Sequence, residues 1–245
     1  MVGKHLTSQE LEDLIKASDN IVFFGGAGMS TESGIPDFRS QHGLYNQKYI
    51  YPAEEILSYP FFQEKPDVFY DFYREKIVNC SIKAKPNLGH EQLAKWEKEG
   101  KLKAVVTQNI DTLHEQAGSK NVYHLHGKIE DNFCSKCHKY FNLDYITSCQ
   151  GVARCDACQG VIHPGIVLYG EGLDPSTIES SVQAIEQADI LIVGGTSLTV
   201  YPAASFINYY RGNKLILINL TDVSRTNVDY FIQGKIGQVL SAVNC

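Results

Sequence analysis

Four cysteines stand in two Cys-x-x-Cys pairs, Cys134 with Cys137 and Cys155 with Cys158, and the 17 residues 138–154 separate the pairs. This falls within the C-x2-C-x15–20-C-x2-C spacing of structural zinc sites. Each pair offers two thiolates from one tight turn, and two such turns complete a tetrahedron. Four sulfur ligands leave the metal no open position, so it would organise the chain and activate no water. Its work would be to hold a segment too small to make its own core. Two redox-active pairs are the alternative. Cys149 lies between the pairs without a partner at ligand spacing, Cys80 and Cys245 have no motif around them, and His138 is a weaker candidate ligand than the four thiols.

A second chemical signal begins at Gly25, where the chain reads GGAGMSTESGIPDFRS through Ser40. It follows the continuous apolar run 21–24 at once. A buried strand ending in a glycine loop opens a nucleotide-binding βα unit: glycines let backbone N–H groups approach a pyrophosphate, and a helix N-terminus favours its charge. The loop is not a dehydrogenase fingerprint. The G-x-G-x-x-G pattern would need glycine at Thr31, and the acidic residue about 20 positions on is missing. A third signal is His126, which precedes Gly127 after a short apolar strand. Imidazole, with an unperturbed pKa of about 6.5, suits general-base work near neutral pH.

The elements that must carry these residues follow from patterning. The segment Thr7-Ser8-Gln9-Glu10 reads as a capping box, with Leu11, Leu14 and Ile15 on one helical face. Strand-like apolar runs lie at 21–24, 104–106, 122–125, 190–193 and 215–218. Helical patterns lie between the last of them: Ile178, Val182 and Ile185 share a face, and 203–210 is a second candidate. Alternating strands and helices predict an α/β fold, a Rossmann-like parallel sheet with helices on both faces. Two stretches interrupt it. Residues 41–85 are rich in Tyr and Phe and read as short helices, and 129–161 carries the cysteines. The predicted organisation is a nucleotide-binding domain of 1–40, 86–128 and 162–245, with 41–85 and the zinc ribbon 129–161 forming a smaller domain.

Composition excludes several classes. With 22 basic and 28 acidic residues the formal charge is -6, and no Lys/Arg cluster marks a nucleic-acid footprint. The apolar runs are strand-sized and too short to span a bilayer. Paired Cys-x-x-Cys motifs without a secretory leader point to metal binding in the cytoplasm, not to a disulfide scaffold.

The order of motifs resembles that of the sirtuins over nearly the whole chain: Gly-Ala-Gly-x-Ser at 26–30, Gly-Ile-Pro-Asp-Phe-Arg at 34–39, Thr-Gln-Asn-Ile-Asp at 107–111, His-Gly at 126–127, the four cysteines, Tyr-Gly-Glu at 169–171, Gly-Thr-Ser-Leu at 195–198 and Ile-Asn-Leu at 218–220. The resemblance implies an NAD-dependent protein lysine deacetylase that consumes NAD and releases nicotinamide and O-acyl-ADP-ribose. It implies that Ala27, Thr31 and Arg39 lie along the diphosphate and nicotinamide ribose, and that Phe38 shields a reactive ribosyl cation. Gln108 and Asn109 would orient the ribose and a water, Asn109 with a catalytic part, while Ile110 and Asp111 would hold the carboxamide. Thr196 and Ser197 would meet phosphate, Asn219 the adenine ribose and Ile236 the adenine. His126 would be the general base. Val167, Tyr169, Gly170, Glu171 and Val200 would bind the acylated peptide, with the zinc remote from the chemistry.

Some positions depart from the family pattern. Gly25 stands where Thr is common, His163 where Arg is usual, and Gly165 where Asp or Asn is common. The desuccinylase branch carries a Tyr-x-x-Arg pair. Here Tyr73 follows Tyr70 in place of the Arg, so the resemblance implies acetyl and longer neutral acyl groups. The rival activity is protein mono-ADP-ribosyl transfer, against which His126 argues. A non-catalytic NAD-sensing module is a second rival, which has no need of a general base. The partner implied is an acyl-lysine protein or peptide, with neither nucleic acid nor membrane, and the expected state is a monomer.

Overall fold

The apolar runs become strands. The computed structural model describes residues 3–38, 43–46, 49–221 and 228–244, so Arg39 and Cys245 lie outside the described residues. Ten strands are present among them: β1 (Lys4–His5), β2 (Ile21–Gly25), β3 (Leu102–Thr107), β4 (Val122–His124), β5 (Asn132–Cys134), β6 (Tyr140–Phe141), β7 (Ile162–His163), β8 (Ile190–Gly194), β9 (Leu215–Asn219) and β10 (Tyr230–Gln233). The chain packs as two units. One is Met1–Gly34, Lys85–Leu125 and Asp174–Cys245; the other is Ile35–Ala84 and His126–Leu173.

The first unit holds a seven-stranded sheet in the order β1-β10-β9-β8-β2-β3-β4, with every pairing parallel. Side chains alternate across a strand. In β2, Ile21 and Phe23 join one core cluster with Leu11, Ile15, Leu93, Trp96 and Leu240, and the alternate residues Val22 and Phe24 are buried just as completely. A parallel sheet buried on both faces reads as a continuous apolar run, as seen here. The helix Ser8–Lys16 starts at the expected capping box: Thr7 Oγ1 accepts from Glu10 N, and Glu10 Oε2 accepts from Thr7 N. The pattern at 203–210 forms a 3₁₀ helix, Ala203–Tyr209. No helix among the described residues is long and apolar enough to cross a membrane.

The second unit joins short helices to a three-stranded antiparallel sheet, β6-β5-β7. Its helical part includes Ala53–Ile56, Tyr59–Glu64 and Pro66–Phe72. Tyr70 Oη donates to Ile162 O at 2.5 Å and Arg74 Nε donates to Ile146 O at 3.1 Å, so the insertion is tied to the cysteine module. The Tyr70 and Tyr73 rings are both fully buried, which pushes their phenols above the usual range. The unit boundaries differ from the sequence-based ones, and backbone pairing is the reason. Val167 N donates to His126 O (2.9 Å), Lys128 N donates to Gly165 O (2.8 Å), and Tyr169 exchanges hydrogen bonds with Leu57 and Tyr59. Residues 126–128 and 162–173 therefore go with the helical insertion.

Candidate functional site

In the first unit, β2 runs between β8 and β3, and the chain order reverses there. Open α/β sheets bind ligands at the carboxyl ends of strands beside such a switch point. The loops at these ends are 26–34 after β2, 108–112 after β3 and 195–199 after β8. They approach closely. Gly28 N donates to Gly195 O at 2.7 Å, and a Cβ on Gly28 would lie 2.6 Å from Gly195 Cα. Glycine is required at 28 because any side chain would push the two loops apart. The α-helix expected after the glycine loop is replaced by two 3₁₀ turns, Ala27–Met29 and Thr31–Ser33, ended by Gly34 at φ 87°. The left-handed Gly34 stops the second turn, and the first packs its Gly28 backbone directly on Gly195.

Those partners form a buried polar cluster. Ser30 Oγ donates to Asp111 Oδ2 at 2.8 Å and accepts from Asn109 Nδ2 at 3.0 Å. Asp111 Oδ1 accepts from Leu113 N, and Asn109 N donates to Thr107 Oγ1. Gln108 Nε2 and Leu198 N both donate to Thr196 Oγ1 at 3.1 Å, which joins the β3 and β8 loops. Thr31 Oγ1 donates to Gly28 O. Ile236 is buried against Gly194 and Gly195, and its helix is met by Glu32, whose Oε2 accepts from Gly237 N. Asn219 ends β9 and donates to Thr221 O, while Ser197 is exposed beside Thr199. Ala27 and Ile110 are half-buried, as is Val200, which belongs to this unit.

The motif reading singled out neither Ser30, His124 nor Glu115 as a site residue. His124 Nδ1 lies 3.0 Å from Asn109 O and its Nε2 lies 2.7 Å from Glu115 Oε1, so the ring braces the β3 loop from behind. Ser30 had a signal, its place in Gly-Ala-Gly-x-Ser. His124 had none, because its partner is 15 residues away.

Burial pushes the Asp111 carboxyl above its usual range, against the hydrogen bonds from Ser30 and Leu113 that favour the charged form. A carboxyl raised in this way binds its proton more readily in the folded than in the unfolded chain. Native stability therefore falls as pH rises from the unfolded carboxylate range through the raised value. Asp111→Asn is expected to melt no lower than the unaltered protein at neutral pH, and this advantage is expected to vanish in acid. Thermal unfolding at both pH values checks it; an equal loss at both would overturn it.

In the second unit, Phe38 packs 5.4 Å from the Tyr45 ring, and the Tyr45 and Tyr169 hydroxyls are hydrogen-bonded at 2.5 Å. His126 is half-buried and is followed by Gly127 at φ 70°, where a Cβ would meet Gly165 O at 2.2 Å. Only glycine lets the chain after His126 pass this close to the 165–167 backbone. Val167 is half-buried, Tyr169 and Gly170 are exposed, and Glu171 Oε2 accepts from Leu168 N at 2.7 Å.

The four motif cysteines converge. The Sγ atoms of Cys134, Cys137, Cys155 and Cys158 all lie within 4.8 Å of one another, with 134–158 at 3.4 Å and 137–155 at 3.6 Å. A tetrahedral zinc with Zn–S near 2.3 Å needs sulfur separations of about 3.8 Å, so the donor set fits zinc. Cys134 Sγ also accepts from Lys136 N and Cys137 N. Burial opposes its ionisation, but these donors and the neighbouring thiols bring it down to about 6. His138 turns at φ 58° and is not part of the cluster.

Comparison with known proteins agrees with this geometry. The model of the Sir2 family matches residues 26–202. The NAD-dependent protein deacetylase of Clostridium acetobutylicum is 54% identical over 238 residues, covering 96% of each chain. That of Clostridium tetani is 52% identical over 241 residues, covering 97% of each. A solved Sir2 with a deacetylated p53 peptide and 3'-O-acetyl ADP ribose superposes with a TM-score of 0.89 at 36% identity, covering 97% of each chain. A Sir2–p53 peptide–NAD+ structure gives 0.85 at 37% identity, covering 96% of each. With its switch-point loops, its four-thiol cluster and these matches together, the chain belongs to the Sir2 family.

Proposed function

We propose that the protein is an NAD-dependent protein lysine deacetylase, which transfers an acyl group from lysine to ADP-ribose. The observation that carries the reading is the buried Ser30–Asn109–Asp111 cluster at the carboxyl ends of β2 and β3. It presents fixed amide and carboxyl groups at a nucleotide-binding switch point, in a family whose close relatives bear this name.

Asp111 and Ile110 hold the carboxamide of nicotinamide. Asn109 and Gln108 orient the ribose, and Ala27, Thr31, Thr196 and Ser197 line the phosphates. Asn219 and Ile236 take the adenosine end. Arg39 joins Ala27 and Thr31 along the diphosphate and nicotinamide ribose, and Phe38 shields the anomeric carbon from water while the bond to nicotinamide breaks and the acyl oxygen attacks. Excluding water matters because a cation-like centre would otherwise be hydrolysed. His126 takes a proton through the ribose hydroxyls, so that the 2'-oxygen can attack the acyl-bearing carbon. One water is consumed, and the products are free lysine, nicotinamide and O-acyl-ADP-ribose. Val167, Tyr169, Gly170 and Glu171, with Val200, engage the substrate peptide largely through backbone, as an added strand. Tyr73 supports neutral acyl groups, since no cation follows Tyr70 at that spacing. Zinc bound by the four cysteines supplies folding energy and no chemistry. Four thiolate ligands suit a reducing compartment, which supports the cytoplasm. We assign a monomer.

Incubation with NAD and an acetylated peptide tests the proposal. Nicotinamide release that depends on the peptide, with O-acetyl-ADP-ribose found by mass spectrometry, is the expected result. Nicotinamide release that leaves ADP-ribose on protein would replace this reading with mono-ADP-ribosyl transfer.

A further inference from the structure

We infer that His124 is a positioning residue for Asn109 and acts on the step in which the bond to nicotinamide breaks. This rests on the reading of Asn109 as a residue that orients the nicotinamide ribose. His124 ends β4, and only 6% of its side chain is exposed. β4 lies parallel to β3, with His124 opposite Thr107 and Leu125 N donating to Thr107 O. That register sets the ring beside the start of the 108–112 loop. There its Nδ1 lies 3.0 Å from Asn109 O, and its Nε2 lies 2.7 Å from Glu115 Oε1. A carbonyl oxygen only accepts, so Nδ1 is the donor of the first contact. The donation is the same from a neutral ring and from a charged one.

Asn109 is thereby held at three points. Its backbone N donates to Thr107 Oγ1 at 3.0 Å, its backbone O accepts from His124, and its Nδ2 donates to Ser30 Oγ at 3.0 Å. Thr107 belongs to β3 and Ser30 to the glycine loop, so His124 supplies the hold from β4. Asn109 is buried, and a buried carbonyl that loses its donor finds little water to replace it. Its peptide unit would turn toward another partner, and the side-chain amide would turn with it.

The ring is held in its turn. Glu115 lies on the short helix Leu113–Ala117, into which the 108–112 loop leads, and Leu113 N donates to Asp111 Oδ1. One imidazole therefore ties β4 to the loop, and Glu115 ties that imidazole to the helix beyond. Asp111 shares the Ser30 hydroxyl with Asn109, so a displaced Asn109 would disturb both groups that face nicotinamide and its ribose. Catalysis by positioning tolerates little error: a misplacement of about 1 Å can cost on the order of 100-fold. The step at risk is the first one, before the proposed proton transfer to His126.

Two substitutions separate the donor from the bulk of the ring. In His124→Asn the amide nitrogen stands as many bonds from the backbone as Nδ1 does, so it can still donate to Asn109 O. In His124→Gln it stands one bond further out. Deacetylation of an acetylated peptide and exchange of labelled nicotinamide into NAD are both measured. His124→Gln is expected to lower kcat and the exchange rate together, each about tenfold, with the KM for peptide within about twofold. His124→Asn is expected to keep both rates within about threefold of the unaltered protein. If filling space were the only role of the ring, Gln, the larger side chain, would be the milder change. A Gln variant no worse than the Asn variant overturns the inference, as does an exchange rate that His124→Gln leaves unaltered. Should His124→Gln fail to fold, Glu115→Ala carries the test, because that side chain is 34% exposed and the ring stays in place. Both rates are then expected to fall about threefold, and unchanged rates overturn the inference. Failure of the deacetylase reading looks different: no peptide-dependent nicotinamide release from the unaltered protein.

Discussion

His126→Ala is expected to retain at most about 1% of deacetylase turnover, because one general base contributes 10²–10⁴-fold. The loss is expected in kcat more than in either KM. In the proposed mechanism His126 takes its proton after the nicotinamide bond has broken, so its imidazole would stabilise a later transition state more than it holds either substrate. A second signature follows from the same order of events. Exchange of labelled nicotinamide into NAD, which needs only the earlier step, is expected to survive in the variant. Gly127 is left in place, so the tight turn beside Gly165 is undisturbed and the fold is expected to be retained. Turnover within about tenfold of the unaltered protein would remove His126 from the role of general base.

Removing zinc is expected to abolish activity by a different route. One zinc per chain is expected by elemental analysis, lost with a strong chelator or with Cys155→Ser. Structural zinc contributes roughly 10–16 kcal/mol of apparent binding energy in small peptides. A typical domain has about 5–15 kcal/mol of total stability. The three strands of the β6-β5-β7 sheet are only two or three residues long and cannot offset such a loss. The first unit has its own core, which contains Trp96, the single tryptophan of the chain. Trp96 emission is therefore expected to stay unshifted on chelation while deacetylation disappears. Full activity without zinc, or a tryptophan shift that tracks metal loss, would contradict this division of labour.

Much of this protein was legible residue by residue. Strands β2, β8 and β9 announce themselves because both faces are buried, so nearly every position must be apolar. The four-thiol cluster is legible because tetrahedral thiolate geometry constrains spacing within each pair. The capping box at Thr7 and Glu10 is local, made by side chains three positions apart. Tertiary structure decided the rest. The edge strand β1 consists of Lys4 and His5 and exists because long-range pairing with β10 satisfies its backbone. Ser30 of the glycine loop meets Asp111, 81 residues on, and no local propensity encodes that meeting. Residues 126–128 and 162–173 joined the helical insertion through backbone hydrogen bonds, which any sequence can make and none advertises. Local chemistry chose the residue types, while packing across long chain separations chose which of them meet.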